Sequence, residues 1–260
     1  MAPLVMGILN VTPDSFSDGG RWFDRDAAVA HGLRLAAEGA AIVDVGGEST
    51  RPGATPVDPA EERRRVVPVI EALRSHVRVS VDTRRASVAE AAIEAGATLV
   101  NDVSASLWEV AAAGSVGWVA MHMQGEPATM QDAPTYGDVL AEVRDHLVAR
   151  AEQAQAAGVG EVWIDPGIGF GKTDAQSLAL LRGTDVLAAT GFPVLVGTSR
   201  KGLLGRLTGG AGVDDRLEAS LASAVVAAAL GAGMVRVHDV AATVQAMRIV
   251  GEPVAGVGIA

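Results

Sequence analysis

A (β/α)8 barrel filling residues 1–260 as a single domain is the fold this sequence predicts, on three observations. Eight short runs rich in Val and Ile are apolar nearly throughout, as burial on both faces of a parallel sheet requires. Helical patterns alternate with these runs along the whole chain. Several of the helical patterns stop at Gly39, Gly96, Gly158 or Gly231, and glycine takes the left-handed C-terminal position without a Cβ clash. The strand candidates are Leu4–Leu9, Ala41–Val45, Val77–Val81, Thr98–Val100, Gly117–Met121, Val162–Asp165, Pro193–Val196 and Met234–Val237. The helix candidates are Asp26–Glu38, Pro59–Ser75, Ser87–Ala95, Leu107–Ala113, Gly137–Ala157, Asp174–Ala189, Arg216–Leu230 and Ala241–Val250. Eight of each is the TIM-barrel count. An open doubly wound sheet would carry its glycine fingerprint after the first strand, where this chain has none.

Composition narrows the function. With 49% hydrophobic and 20% charged residues the chain affords a large core. Lys and Arg number 21 against 31 Asp and Glu, a net charge of −10 that argues against a nucleic-acid binder. There is no cysteine, so thiol nucleophiles, thiolate metal sites and disulfides are excluded. Residues 1–11 lack the positive charge of a secretion signal. The longest uncharged run, Ala219 to Val235, is too short and too rich in small residues for a membrane span. A cytoplasmic protein is expected.

In a barrel of this type, chemistry belongs at the C-terminal ends of the strands. The polar residues fall there: Asn10, Asp44, Asp82, Asn101 with Asp102, His122, Asp165, Ser199-Arg200-Lys201, and Arg236 with His238. The opposite ends show no comparable set. Two Gly/Pro-rich loops on that face, residues 10–24 and 46–59, exceed the usual strand-to-helix length of about 2–6 residues and are expected to be mobile covers. Gly167-Ile-Gly-Phe-Gly-Lys172-Thr173 is not a Walker A loop, because Pro166 stands where the first glycine belongs. It reads as a backbone-lined loop that admits a flat ligand, with Phe170 either against that ligand or in the core. Arg236 and His238, two apart on a strand, share one side and suit a phosphate or diphosphate, with Lys201 adding a cation. Asp82 and Asp165 suit metal binding, acid–base work or hydrogen bonds to a polar heterocycle. Asn10 and Asn101 suit such a heterocycle too, although strand-end Asp and Asn also cap helices. His31, His76 and His146 fall in helical stretches and read as surface residues.

Longer motifs then carry a resemblance. Met6-Gly-Ile-Leu-Asn10-Val-Thr-Pro-Asp-Ser-Phe16-Ser-Asp-Gly-Gly20 and Asp44-Val-Gly-Gly-Glu-Ser-Thr50-Arg51-Pro52-Gly53-Ala54 resemble the signatures of the dihydropteroate synthase family. Shorter matches follow in family order: Ser80-Val-Asp82-Thr83, Asn101-Asp102-Val103-Ser104, Met121-His-Met-Gln-Gly125, Asp165-Pro-Gly-Ile-Gly-Phe170-Gly-Lys, Ser199-Arg200-Lys201 and Arg236-Val-His238-Asp239. The resemblance implies a barrel that joins 6-hydroxymethyl-7,8-dihydropterin diphosphate to p-aminobenzoate, releasing pyrophosphate, in folate biosynthesis. It implies Mg²⁺, sulfonamides as inhibitors and a homodimer.

Carried over by residue, Asp82, Asn101, Asp165 and Lys201 would hold the pterin, with Met121, Phe170 and Arg236 lining its slot. Asn10, Arg51, Arg236 and His238 would hold the diphosphate, with Asn10 near Mg²⁺. Phe16, Thr50, Pro52, Lys201 and Gly202 would close on p-aminobenzoate. Asp82, Lys201, Arg51 and His238 would carry the catalysis. The chain departs from many members at Gly202, where they have Ser, at Ser177, near which they have Asn, and in its short 104–108 loop.

A pterin-binding methyltransferase domain would share the barrel but need no diphosphate grip. A catalytically silent paralogue would show losses among Asn10, Arg51, Asp82, Lys201 or His238, and none is lost. The helix Arg216–Leu230 is small and apolar nearly all round, so its outer face is expected to be buried in the dimer, where Ala227→Glu or Ala228→Glu would split it.

Overall fold

The computed structural model describes residues 2–12, 25–49, 57–126 and 129–251. Eight parallel strands form one sheet in the order β6-β5-β4-β3-β2-β1-β8-β7. They are β1 (Leu4–Asn10), β2 (Ile42–Gly46), β3 (Arg78–Asp82), β4 (Leu99–Asp102), β5 (Gly117–Met121), β6 (Val162–Asp165), β7 (Leu195–Val196) and β8 (Met234–Val237). The sheet closes where Ile164 of β6 bridges Val194, just before β7. The helices are α1 (Arg25–Ala37), α2 (Pro59–Leu73), α3 (Ala86–Ala95), α4 (Trp108–Ala113), α5 (Val139–Ala156), α6 (Asp174–Arg182), α7 (Thr184–Ala188), α8 (Gly202–Leu207), α9 (Leu217–Ala229) and α10 (Val240–Gly251). Among the described residues no helix is long and apolar enough to cross a membrane.

Every expected strand is present, because continuous apolarity is a direct record of burial on both faces. All five residues of β2 and all five of β5 are buried. Residues facing inward, Met6, Ile42, Leu99, Val119, Trp163, Leu195 and Met234, form a core of their own inside the barrel. Residues facing outward, such as Val43, Val45, Val79, Val81 and Val100, join the core between strands and helices. The parallel register then sets Asn10 beside Gly46, Gly46 beside Asp82, and Asp82 beside Asn101, in one row at the strands' C-terminal ends.

Local chemistry sets several helix boundaries. Asp58 caps α2 by accepting from the Ala60 N–H at 2.8 Å, with Pro59 at the first helical position. Thr173 and Gln176 close a reciprocal capping box on α6. Gly96 ends α3 in the left-handed conformation.

The structure corrects the sequence reading in four places. The stretch Asp174–Ala189 is two helices, broken at Gly183, where a Cβ would lie 2.7 Å from Leu140 Cδ2. The short α8 has two glycines and no sequence pattern; burial of Leu203 and Leu204 holds it. The N-terminal end of the barrel does carry polar residues. Arg78 at the start of β3 meets Glu161, which precedes β6, in a fork at 3.0 and 2.6 Å, and Trp163 Nε1 donates to the same carboxylate at 2.8 Å. Finally, Ala227 and Ala228 of α9 face inward, at 0% and 8% exposure. The outer face of α9 is instead Leu217, Glu218, Ala222, Val226 and Ala229. His76, in the turn after α2, is exposed as expected. The His146 ring stands edge-on to that of His122, with centroids 5.0 Å apart.

Candidate active site

The barrel row places its polar groups in one pocket floor, held by a buried bridge. Arg236 of β8 donates from Nε to Asp44 Oδ2 at 2.6 Å and from Nη2 to Asp82 Oδ2 at 2.7 Å. Asn101 Nδ2 donates to the same Asp44 oxygen at 2.9 Å. Burial works against the Arg236 charge, but Asp44 and Asp82 outweigh it and raise the guanidinium pKa. Burial pushes the Asp82 carboxyl up to about 7, with Arg236 opposing and Asp44, Glu62 and Asp102 adding to the rise.

Asp165 ends β6 on the other side of the floor. Its Oδ1 accepts from the Gly167 N–H at 2.8 Å. Burial raises its pKa and Lys201 opposes the rise. Burial lowers the Lys201 ammonium to about 8, against the pull of Asp165. Lys201 Nζ donates to the Ile168 carbonyl and stands 4.6 Å from the centre of the Phe170 ring. Phe170 is half-buried and stands outside the buried core.

The loop between β6 and α6 is pressed onto the β5 end. A Cβ on Gly167 would lie 1.9 Å from the His122 carbonyl oxygen, and one on Gly171 would lie 2.2 Å from that of Gln124. Lys172 pins the loop from beneath. Its Nζ donates to the carbonyls of His122 at 3.1 Å, Gly167 at 3.1 Å and Phe170 at 2.9 Å, and lies 3.0 Å from His122 Nδ1. Burial, then the nearby Lys172 and His146, take the His122 pKa down to about 3, so its ring is neutral. His122 therefore belongs to this support and not to the pocket floor.

Asn10 and Asp82 flank Gly46; a Cβ there would sit 3.8 Å from Asn10 Oδ1 and 3.7 Å from Asp82 Oδ2. His238 Nδ1 lies 3.0 Å from Ser199 Oγ, which also accepts the His238 N–H at 3.1 Å. Arg200, at φ +58°, forks onto Asp239 and braces this corner. Met121 is buried at the end of β5, against Gly167. Gly202 opens α8 directly after Lys201. Phe16, Thr50, Arg51 and Pro52 lie outside the described residues.

Two groups that the sequence names carry roles it does not assign, and a third is missing from it. Asp44, placed by the sequence at the mouth, anchors both Arg236 and Asn101. Lys172, which the sequence offers only as part of a nucleotide-like loop, pins the loop after β6. Arg85, which precedes α3, bridges Glu48 after β2 to the buried Glu62 of α2, and Thr83 donates to Glu62 at 2.7 Å. Asp102 turns out to be a cap: its carboxylate accepts from the N–H groups of Ser104, Ser106 and Leu107.

A barrel whose mouth offers paired carboxylates, an amide, a lysine over an aromatic ring and a basic corner defines an enzyme that holds a flat, hydrogen-bonding heterocycle. Residues 6–238 match the family described as pterin binding enzyme. The dihydropteroate synthase of Mycobacterium leprae is 51% identical, over 96% of this chain and 94% of its own. The Yersinia pestis dihydropteroate synthase, solved with a sulfonamide drug complex, superposes with a TM-score of 0.89 at 45% identity, covering 96% of this chain and 93% of that one. The Xanthomonas albilineans enzyme with 4-aminobenzoic acid gives 0.89 at 50% identity, covering 95% and 92%. The chain belongs to the pterin binding enzymes and, within them, to the dihydropteroate synthase family.

Gly167→Ala tests the pressed loop. The residue sits at φ +61° against a backbone oxygen, so the substitution is expected to cost more than about 1–2 kcal/mol and to weaken pterin binding. Chemical denaturation and pterin titration check both; wild-type values in each would contradict the loop's role.

Proposed function

We propose that this chain condenses 6-hydroxymethyl-7,8-dihydropterin diphosphate with p-aminobenzoate to give dihydropteroate and pyrophosphate, in folate biosynthesis, as a cytoplasmic homodimer inhibited by sulfonamides. The single observation that carries the reading is the floor itself: Asp44, Asp82 and Asp165 set three buried carboxylates against the two cations Arg236 and Lys201. Such a floor favours a ligand that brings N–H donors and develops positive charge.

The pterin ring is assigned to Asp82, Asn101, Asp165 and Lys201, with Met121 and Phe170 beside it. Arg236 has two corners committed to carboxylates, so only its Nη1 edge is assigned to the diphosphate. The diphosphate corner proper is Asn10, Arg51 and His238. Phe16, Thr50 and Pro52 from the first two loops, with Lys201 and the Gly202 N–H, are assigned to p-aminobenzoate. The loops at residues 10–24 and 46–59 act as covers on one domain of 260 residues.

The pterin methylene C–O bond breaks with its electron pair leaving on pyrophosphate. The methylene cation that results is spread into the ring, where ionised Asp82 lowers its energy. The p-aminobenzoate amine then attacks the methylene carbon, forming the C–N bond, and its extra proton passes to solvent water. Lys201 fixes ring and amine together, while Arg51 and His238 take up the leaving group's charge.

Mg²⁺ fits this site only as a companion of the diphosphate. Among the described residues no three His, Asp or Glu side chains are arranged to hold a metal, and Asp82, across the Gly46 notch from Asn10, is engaged by Arg236. One amide oxygen suits an ion that keeps phosphate oxygens and waters as its other ligands. Asn10 would hold it, and the ion would neutralise part of the leaving group's charge.

Asp82→Asn is expected to lower kcat on the order of 10²–10³-fold. The wild-type rate should rise with pH through about 7, because the carboxylate works ionised and its pKa is raised to that range; the variant should lose that limb. A pyrophosphate-release assay at saturating substrates checks both, and a variant matching wild type would refute the role of Asp82.

The dimer reading moves to the observed outer face of α9, where Leu217 and Val226 are 37% and 40% exposed. Val226→Glu is expected to convert a dimer into monomers without unfolding, as read by light scattering. A wild type that is monomeric at micromolar concentration would remove the dimer.

A further inference from the structure

The pocket floor holds one buried charge to which no contact with substrate is assigned. Asp44 is fully buried at the middle of β2, one layer beneath the row that faces substrate. It nonetheless organises two residues of that row. Arg236 uses the edge of its guanidinium formed by Nε and Nη2, giving Nε to Asp44 and Nη2 to Asp82. Two carboxylates on one edge fix the plane of the group, which one alone would not, and among the described residues Nη1 has no hydrogen-bond partner.

The second residue is Asn101, whose amide can present either a donor or an acceptor. Its Nδ2 donates to Asp44 Oδ2. An ionised carboxylate has no proton to give, so it admits Asn101 in one orientation only and leaves Oδ1 as the acceptor on offer.

We propose that Asp44 is a positioning residue: it fixes the plane of Arg236 and the hydrogen-bond polarity of Asn101, so that the floor presents an acceptor to the N–H groups of the pterin ring. The proposal rests on the reading that Asn101 meets the pterin ring and Arg236 the diphosphate that the same substrate carries.

The fold does not ask for this charge. Asp44 Oδ1 and the hydroxyl of Ser80, its register neighbour on β3, are both buried without a partner among the described residues. Buried ion pairs are commonly no better for stability than apolar packing. Removing the Asp44 charge would leave Arg236 paired with Asp82, so no cation is orphaned.

Asp44→Asn is the direct test, because the shared oxygen accepts from both Arg236 Nε and Asn101 Nδ2: the new amide either keeps its oxygen there and loses the charge that holds Arg236, or turns its NH2 there, donates to Asn101 Oδ1 and gives up Arg236 Nε. The variant is expected to unfold at or above the wild-type temperature. Its KM for 6-hydroxymethyl-7,8-dihydropterin diphosphate should rise about 10- to 100-fold, the scale on which misplacing a binding group acts. Its KM for p-aminobenzoate should stay within twofold. A stability role alone would not produce that split. Asn101→Ala and Arg236→Lys serve as comparisons. If they raise the pterin KM and Asp44→Asn does not, the positioning role is overturned while the site reading stands. If neither comparison raises it, the site reading falls and takes the proposal with it. Should Asp44→Asn not fold, Asp44→Ser is read the same way; failure of both to fold overturns the proposal, because Asp44 would then serve the fold.

Discussion

The bridge from Asp44 through Arg236 to Asp82 is the interaction on which the rest of the site depends. It joins β2, β8 and β3 across the floor of the barrel, between residues far apart in sequence. Burying such charges is costly unless each is paired, and here the pairing is incomplete by one positive charge once Asp165 and Lys201 are counted. Burial raises the Asp82 and Asp165 pKa values, against the pull of Arg236 on Asp82 and of Lys201 on Asp165. In the reaction proposed above, a ligand that becomes cationic as it reacts would meet this shortage at the moment of reaction, and the floor would act as electrostatic preorganisation.

What makes the cost bearable lies below and around the floor. The inner core from Met6 to Met234 fills the barrel under it, and the Arg78–Glu161 fork closes the far end. At the rim, Lys172 replaces a second core. Its three carbonyl acceptors and the neutral His122 ring hold the loop that carries Phe170 and Ile168, and Ile168 in turn receives Lys201. Glycine is required at Gly167 and Gly171 because any Cβ would strike the neighbouring loop's backbone. The site is rigid on the β5–β6 side by this backbone contact and on the β2–β3 side by the Glu48–Arg85–Glu62 bridge.

Much of this was legible in the sequence. Strands buried on both faces advertise themselves as unbroken apolar runs, and all eight were found to within two residues at each end. Polar residues at the ends of those runs located the mouth, and the long motifs at residues 6–20 and 44–54 named the family. What stayed hidden was pairing. That Arg236 turns to two carboxylates rather than wholly to a phosphate is a contact across 192 residues to Asp44 and 154 to Asp82. The Arg78–Glu161 fork spans 83. The break at Gly183 depends on the Leu140 side chain of another helix, and the inward face of Ala227 and Ala228 depends on how α9 is rolled. A helix made of small apolar residues carries no periodic signal to fix that roll.

The most direct measurement is a crystal structure of this chain with 6-hydroxymethyl-7,8-dihydropterin and pyrophosphate bound together. The account predicts the ring on Asp82, Asn101 and Asp165, beside Phe170 and Lys201, with Arg236 still joined to both Asp44 and Asp82. An Arg236 that has left both carboxylates to grip the pyrophosphate, or a ring seated away from that floor, would contradict it.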